Sequence, residues 1–399
     1  MKKVLSFLLA AFLAASIVSP ARAEIKLPED IIGPVTVGID GVYSLDFETA
    51  HNSIQKVFSL YPNHPFGHFG NAMIAWARYE YEFETSDDKQ RKVFEKTLDD
   101  SIAGIKIWLK DNPQDPNAFM GIGALYGLRA MFAMRNRNWI TSYFSGRKAI
   151  KNLEKALELD PTYYDAFFGL GIYQYYAGTL PSVIKILAKI VAIKGDPHKG
   201  VAYLNLAREK ATFTSNSSKL ILIDVQNNRR NTQYYAPEKS LQYIREIRKK
   251  FPKNPLMHYV EIICLFETGH YDEVMAGGKE FLSLIGSDKF YKEIYISRAY
   301  TAIGTAHMAQ GQWQEAKNAF EEMQKALAHQ EPSRWGVWNE YRLGQVYDAL
   351  GEREKAIKQY QKVLSFHDKW GFDEIAREGL KTPWKAATGK ETGPLPPSV

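Results

Sequence analysis

The sequence contains a single cysteine, Cys264, in 399 residues. One thiol cannot form an internal disulfide, so the fold must be stabilised by packing alone. Cys264 also lies within the apolar run YVEIICLF, which is the usual setting of an inert, buried thiol. A disulfide framework and thiol-based catalysis are therefore both disfavoured.

An excess of charge of one sign is also missing. The formal net charge is +6, from 51 basic and 45 acidic residues, and three of the basic residues lie in residues 1–23. A nearly balanced surface does not favour nucleic acid as a ligand, and we expect no nucleic-acid partner.

Motifs for catalysis and metal binding are missing as well. There is no Gly-x-Ser-x-Gly elbow and no phosphate-binding loop. His64 and His68 are four residues apart, but no glutamate follows in the His-Glu-x-x-His arrangement of zinc hydrolases, and both are interpreted as capping or packing residues. The acidic cluster Glu80, Glu82 and Glu84 is interpreted as a solvated helix end. We expect a protein that is not an enzyme and that has no cofactor and no metal.

Long apolar runs are limited to residues 4–18, which follow two lysines and precede Ala-Arg-Ala at 21–23. This is the three-part layout of a secretory signal peptide, too short to span a bilayer comfortably. Cleavage would leave a mature chain that begins at Glu24. Export to the periplasm is expected, with secretion as the alternative, and the mature protein is expected to be soluble.

Aromatic residues are abundant, with 23 Tyr, 21 Phe and 8 Trp, and small residues recur with them at fixed offsets. The anchors of the most regular unit are Leu343-Gly344, Tyr347, Gly351, Ala356 and Tyr360, and those of the preceding unit are Ile303-Gly304, Gly311, Ala316 and Phe320. Small residues are needed where two helices nearly touch, and aromatics fill the spaces between pairs. The pattern resembles the tetratricopeptide repeat (TPR). That resemblance implies an all-α fold, a TPR-type α–α superhelical solenoid.

The repeats cover residues 44–368 as about eight helical pairs. Insertions against the ordinary period fall near 80–100, 130–148 and 180–199, so the N-terminal half is elaborated and the C-terminal half is closer to the plain repeat. We expect one continuous solenoid and not two domains.

The two ends of the mature chain are predicted to be less regular. Residues 24–43 contain three glycines and two prolines and are interpreted as an extended lead-in. Residues 369–388 are predicted to form a C-terminal helix, and 389–399 a disordered tail.

Residues 167–207 show a more specific resemblance. They are similar to a bacterial group of exported TPR proteins and to a eukaryotic TPR family that includes a mitochondrial outer-membrane protein linked to inclusion-body clearance. The shared residues are Gly169, Gly171, Leu180-Pro181, the run from Lys185 to Leu187, Gly195-Asp196 and Gly200. The resemblance implies a binding or adaptor role and supplies no catalytic residue.

Within that block, residues 180–195 have the pattern of an amphipathic helix that Pro181 opens, with Lys185 and Lys189 on one face. One interpretation is a basic helix that rests on a membrane or lipid. The other is a helix packed along the solenoid, with its lysines in water. Asp196 and Pro197 are predicted to cap and start the next helix.

TPR proteins usually bind their ligands on the concave face, which the first helix of each pair forms. The matching offsets predict a partner-binding set of Phe66, Phe69, Met73, Trp76, Met120, Phe168, Ile172, Tyr175, Tyr176, Arg298, Trp338 and Tyr341. Its N-terminal members are apolar and aromatic. They form either a groove for an apolar peptide, helix or acyl chain, or a surface that the insertions cover and bury as core.

Two functions follow from these expectations. The first is a non-enzymatic scaffold of the cell envelope that binds a protein or peptide in its concave groove. The alternative is a carrier of a lipid or other apolar small molecule, in an aromatic N-terminal cavity beside Trp76 and Tyr175.

Overall fold

The computed structural model describes residues 28–82, 88–136, 138–179, 194–330, 332–368 and 370–393. These parts of the chain contain seventeen α-helices and two short 3₁₀ turns, and they contain no strand. In chain order the α-helices are α1 (Glu29–Tyr43), α2 (Phe47–Leu60), α3 (Pro65–Glu82), α4 (Asp88–Asp111), α5 (Pro116–Arg135), α6 (Trp139–Leu159), α7 (Ala166–Gly178), α8 (Pro197–Lys210), α9 (Ser215–Gln226), α10 (Pro237–Lys250), α11 (Pro255–Thr268), α12 (Tyr271–Leu284), α13 (Ile296–Ala309), α14 (Trp313–Ala326), α15 (Arg334–Ala349), α16 (Arg353–Leu364) and α17 (Asp373–Lys381).

Several helices begin at an acid or amide followed by proline, because proline fits the first helical position and the preceding side chain caps free N–H groups. Asp115 accepts a hydrogen bond from the Asn117 N–H at 2.9 Å, and Asn254 accepts one from the Leu256 N–H at 2.9 Å. Asp196 caps α8 in the same way, which confirms its predicted role.

The helices pack as eight successive hairpins, from α1–α2 to α15–α16, and α17 covers the last one. Odd-numbered helices also contact the next odd-numbered helix, as α3 does with α5 and α13 with α15. The odd-numbered helices therefore form the inner face of the stack and the even-numbered helices the outer face. The predicted all-α TPR-type solenoid is confirmed.

The N-terminal hairpins are longer than the rest. Helices α3, α4, α5 and α6 have 18, 24, 20 and 21 residues, whereas α7 and α8 have 13 and 14. The extra residues predicted near 80–100 and 130–148 thus lengthen helices. Most of the third insertion, residues 180–193, lies outside the described residues. No described helix has both the length and the apolar character needed to cross a membrane.

The predicted extended lead-in over residues 24–43 is wrong, because α1 occupies Glu29–Tyr43. Two of its three glycines, Gly38 and Gly41, are positions of close helix contact and not of chain reversal. A Cβ on Gly41 would stand 2.9 Å from the Ala50 nitrogen, and one on Gly38 would stand 3.2 Å from Ile54 Cδ1. Packing against α2 therefore outweighs the local preference of glycine for turns.

The predicted C-terminal helix over 369–388 is too long, and the predicted disorder is wrong for residues 389–393. Helix α17 ends at Lys381, because Thr382 takes an extended conformation before Pro383. Residues 382–393, named the tail segment here, then run back onto the solenoid and end in a 3₁₀ turn at Gly389–Thr392. Residues 394–399 lie outside the described residues.

The superhelix curls so tightly that its first hairpins touch later ones. The Tyr43 carbonyl accepts a hydrogen bond from Asn254 Nδ2 at 2.8 Å. Farther along, Tyr81 donates its hydroxyl to the Phe290 carbonyl at 2.8 Å, and the Tyr81 carbonyl accepts from the Tyr295 hydroxyl at 3.0 Å. The ends of α1 and α3 thus rest on the hairpins formed by α9–α13, which encloses the inner face of the N-terminal half.

Candidate functional site

The inner face of the N-terminal half is covered by the loop after α8. Asp165 is buried, and its carboxylate accepts hydrogen bonds from the N–H groups of Thr212, Phe213 and Thr214 at 3.1, 3.0 and 2.8 Å. The loop is thereby held with the Phe213 ring 5.2 Å from the Phe66 ring. Phe66 is only 6% exposed, so it is a core residue.

Of the other predicted N-terminal residues, two are buried, five are partly exposed at the edge of the core, and one is exposed. Met120 and Tyr175 are buried. Phe69, Met73 and Trp76 pack against the cluster between α3, α4 and α5, and Phe168 and Ile172 pack against the core that extends to α13. Tyr176 is 38% exposed and donates its hydroxyl to Asp224.

Of the two alternatives for the N-terminal members, the open groove is wrong for Phe66, Met120 and Tyr175, which are buried. Met120 is buried by the helices that follow it, α6 and α7, and Tyr175 by the close contact of α7 with α8. Phe66 is reached by a segment from farther along the chain, through Phe213. Phe66 packs in a cluster with Ile31, Val35 and Val57 of α1 and α2 and with Phe213 of the loop 211–214. Residues 180–193 lie outside the described residues.

The C-terminal inner face carries aromatic rings around two arginines. The Arg298 guanidinium lies 5.0 Å from the Tyr295 ring and 5.7 Å from the rings of Tyr259 and Trp335, so it bridges α11, α13 and α15. Trp338 is 5% exposed and stacks on Tyr341 with their ring centroids 5.2 Å apart. The predicted Trp338 is therefore part of a buried stack and not an open contact residue.

Arg342 holds the tail segment by its main chain. Its Nη2 donates to the Thr392 carbonyl at 2.5 Å and to the Gly393 carbonyl, while Nη1 donates to Gln345 Oε1 at 2.9 Å. Its guanidinium also lies 4.7 Å from the Trp338 ring. Burial lowers the pKa of Arg342 to about 10, which leaves the side chain charged at neutral pH.

The start of the tail segment is fixed at the end of α15. The Trp384 N–H donates to Asp348 Oδ2 at 2.8 Å, and the Trp384 ring lies 6.0 Å from the Trp313 ring. Asp348 also accepts from Arg353 at 2.9 Å, and Arg353 donates to the Gly379 and Leu380 carbonyls at 2.8 Å. The tail segment therefore lies across the inner helices between these anchors.

The role of Arg342 was not predicted from the sequence. The available signal was an arginine directly before the Leu343-Gly344 anchor, on a part of the helix that the repeat pattern requires to be buried. A charged residue there needs a partner inside the fold. The pattern gives no indication that this partner lies 50 residues further along the chain.

The histidines have structural roles. His64 Nδ1 accepts a hydrogen bond from the Phe66 N–H at 3.2 Å, and the His68 ring lies 5.1 Å from the Phe58 ring. Burial lowers the pKa of His64 to about 4. Within the described ranges, no group of three or more His, Cys, Asp or Glu side chains is arranged to hold a metal ion.

Two buried histidines predict a loss of stability in mild acid. Burial lowers the pKa of His64 to about 4 and that of His258 to about 3, whereas both are near 6.5 in an unfolded chain. Below pH 6.5 the unfolded chain therefore binds protons that the folded chain does not, and the free energy of unfolding falls as the pH falls. The expected loss between pH 7 and pH 5 is about 2 kcal/mol for each histidine.

Urea unfolding at pH 7 and pH 5 tests this prediction. His258 contacts the Tyr291 hydroxyl at 3.0 Å, and the carboxylate of Glu280 lies 4.0 Å away but is mostly exposed. The variant His258→Gln should lose about half of the pH dependence, and His51→Gln, at an exposed position, should keep all of it. Equal pH dependence in the two variants would contradict the assignment.

Comparison with known proteins supports the repeat assignment. The family model "Tetratricopeptide repeat" matches residues 341–366, which lie in the hairpin α15–α16. No curated protein matches the chain. The resemblance of residues 167–207 to two TPR groups therefore stays a prediction.

Solved structures resemble the chain only in overall form. A human IFIT1 dimer with PPP-AAAA has a TM-score of 0.45 and 12% sequence identity, and the match covers 90% of this chain and 86% of that one. PilW, a type IV pilus biogenesis factor, has a TM-score of 0.41 and 16% sequence identity, and the match covers 64% of this chain and 98% of PilW. Yeast Tom70 has a TM-score of 0.38 and 11% sequence identity, and the match covers 88% of this chain and 89% of Tom70. Likeness at this level carries no functional information.

The assignment of the fold thus depends on the chain's own features. One repeat matches the family model, and eight hairpins stack in sequence with small residues at their helix contacts. The chain contains a tetratricopeptide repeat at residues 341–366 and folds as an all-α solenoid of the TPR type.

Proposed function

We propose that the protein is a non-catalytic scaffold of the cell envelope that binds an extended peptide segment of a partner on the inner face of its C-terminal half. The observation that carries the proposal is the tail segment, which occupies that face as an internal ligand. Arg342 binds it through two consecutive main-chain carbonyls. Contacts to the main chain do not depend on side-chain identity, so a segment of another protein can replace it.

The surroundings of Arg342 suit such an exchange. The aromatic surfaces of Trp338 and Trp313 flank the path of the tail segment, and the Arg229 guanidinium lies within 3.5 Å of the place that a Cβ on Gly393 would take. Arg229 is itself held by Glu267 at 2.6 and 2.7 Å. A partner segment would meet preformed donors and rings, which reduces the entropy cost of binding.

The location in the cell envelope rests on the leader predicted at residues 1–23, with periplasm expected and secretion as the alternative. The carrier function has less support, because one of the rings that it requires is buried and the other packs against the core. The Trp76 ring lies 5.1 Å from the Phe94 ring, and Tyr175 is 2% exposed. Lipid contact through residues 180–195 stays a prediction.

The test is to remove the tail segment and to supply it as a peptide. A mature chain that ends at Lys381 is expected to bind a peptide of residues 382–399 with a Kd on the order of 1–100 µM, as for a short segment that is ordered on binding. The full chain should bind at least tenfold more weakly, because its own tail competes at an effective concentration of about 1 mM. Fluorescence anisotropy of the labelled peptide measures both.

Arginine variants of the truncated chain supply the control. Arg342→Met removes the donors and keeps the apolar stem, and it should weaken peptide binding at least tenfold. Arg377→Met, at an exposed arginine that pairs with Asp373 on α17, should leave binding unchanged. Equal binding by the full and truncated chains would contradict the proposal. The same holds for an Arg342→Met variant with unaltered circular dichroism and unaltered binding.

A photo-crosslinking residue in place of Tyr341 then identifies the natural partner in envelope extracts. Tyr341 is partly exposed beside the buried Trp338. We expect the truncated chain to capture a protein. We expect the 382–399 peptide to suppress that capture. Capture that the peptide does not suppress would place partner binding elsewhere.

A further inference from the structure

The exposed apolar side chains of the described residues are concentrated at one place. Ten large apolar side chains are exposed, and five of them lie between residues 131 and 144. They are Met131, Met134, Trp139, Ile140 and Phe144, with exposed fractions of 40, 51, 60, 73 and 57%. These residues form the turn between α5 and α6 and the first turns beside it, a region named the α5–α6 tip here. Soluble monomers rarely expose a contiguous patch of this kind without a function.

The length of α6 places this tip beyond the neighbouring hairpin. A short connection, residues 160–165, joins the end of α6 to the start of α7, so these two helix ends are level. From there α6 has 21 residues and α7 has 13. At 1.5 Å per residue the difference carries the start of α6 about 12 Å further than the end of α7. The apolar side chains therefore stand beyond the end of α7.

Hydrogen bonds hold the described residues of the tip in place. Asn138 caps α6 by accepting a hydrogen bond from the Thr141 N–H at 3.2 Å, and Ser142 donates to the Ala130 carbonyl at 2.9 Å. Ile140, Phe144 and Arg147 follow at spacings of four and three residues, so they share one face of α6. The exposure thus belongs to a folded turn and not to a loose chain end.

The sequence on both sides of the tip carries basic residues and no acidic ones. Residues 116–153 contain no aspartate and no glutamate, but they contain six basic residues: Arg129, Arg135, Arg137, Arg147, Lys148 and Lys151. Arg129 pairs with Asp99 and Arg135 with Glu80. Arg147, Lys148 and Lys151 are exposed and have no carboxylate partner among the described residues. The tip therefore combines apolar side chains with cations that remain available.

This combination indicates an anionic lipid surface. Tryptophan and other large apolar side chains insert at the boundary between head groups and acyl chains, and nearby lysines and arginines bind anionic head groups. We propose that the α5–α6 tip docks the protein on an anionic bilayer surface. Trp139, Ile140 and Phe144 enter the interface, and Arg147 and Lys148 bind lipid phosphates. The peptide-binding inner face is a separate surface, so the two proposals fail independently.

Vesicle sedimentation with the full mature chain tests this inference. Vesicles of phosphatidylcholine with about 30% phosphatidylglycerol are expected to bind the chain at low salt, whereas vesicles of phosphatidylcholine alone should bind it at least tenfold more weakly. Binding to the anionic vesicles should fall at 0.5 M NaCl, because salt screens charge attraction. Lipids brominated near the head group should quench the fluorescence of Trp139. This quenching is measured as the difference in fluorescence between the wild type and Trp139→Phe.

Two double variants assign the binding to the tip. Trp139→Ala/Phe144→Ser and Arg147→Glu/Lys148→Glu should each reduce binding at least tenfold, with melting temperatures unchanged because all four side chains are exposed. Ile107→Ser, at a separate exposed apolar residue on α4, and Lys249→Glu on α10 should bind as the wild type does.

Three results would overturn the inference. They are no binding to anionic vesicles, equal binding to neutral vesicles, or binding that both tip variants retain. A chain that ignores vesicles but loses an envelope protein crosslink on Trp139→Ala/Phe144→Ser would assign the tip to a protein partner instead. A failure of the peptide-binding experiments at Arg342 would not change the expected vesicle binding.

Discussion

Replacing Gly200 with alanine is expected to destabilise the protein by about 2–4 kcal/mol, although alanine normally favours a helix. A Cβ on Gly200 would stand 2.5 Å from the Tyr175 nitrogen and 2.9 Å from the Gly171 carbonyl oxygen. Both neighbours are main-chain atoms of α7, so neither can rotate away. The new methyl group can fit only if α7 and α8 separate, and their separation opens the core around the buried Tyr175 and Leu204.

Urea unfolding measures this effect, and Gly146→Ala is the matched control. Gly146 also lies inside a helix, but a Cβ there would meet only the Ala130 Cβ, at 4.0 Å. The control should be neutral or stabilising by up to about 1 kcal/mol, since alanine has less conformational entropy to lose. Equal effects of the two substitutions would mean that the contact between α7 and α8 is looser than the structure describes.

The repeat pattern was sufficient to predict the fold because it records contacts inside each hairpin. A Cβ on Gly304 would stand 2.5 Å from the Phe320 ring, and one on Gly344 would stand 2.6 Å from the Tyr360 ring. Both pairs are separated by the same number of residues. Contacts of this kind lie within one repeat, so they impose a periodic pattern on the sequence that can be read directly.

Whether the inner face is open or covered could not be predicted in the same way. Contacts between Tyr43 and Asn254, or between Tyr81 and Phe290, join residues that are more than 200 positions apart. They depend on the curvature of the whole stack, which is the sum of many small rotations between hairpins. The repeat pattern does not encode that sum. It therefore placed Phe66 correctly on an inner helix but could not predict which segment would cover it.

The same limit explains why the order of the tail segment was not predicted from the sequence. Its composition, rich in glycine, proline and polar residues, predicts a disordered end. Order at residues 389–393 comes from donors on α15, above all Arg342, and not from any preference of the tail itself. A sequence pattern reports local preference, so a segment that is ordered by distant main-chain contacts is misread as disordered.

Asp165→Ala is expected to destabilise the protein by about 3–5 kcal/mol. The carboxylate accepts three main-chain N–H groups, from residues 212–214, and each hydrogen bond to a charged group contributes about 1.5–3 kcal/mol. The estimate is below the sum because water can reach part of the loop once it is released. Asp165→Asn keeps an acceptor oxygen without the charge and should cost about half as much. Thermal and urea unfolding measure both.

Asp160→Ala is the matched control, because Asp160 likewise accepts a main-chain N–H, from Thr162 at 2.8 Å, but at an exposed turn. Its cost should stay below about 1 kcal/mol. The two variants should also differ in surface properties. Loss of the Asp165 carboxylate frees Phe213 from Phe66, so Asp165→Ala should bind the dye ANS and exchange the amides of residues 212–214 faster, while Asp160→Ala should do neither. If Asp165→Ala is destabilised without dye binding, the loop is not what closes the N-terminal inner face, and the hairpins formed by α9–α13 must cover it alone.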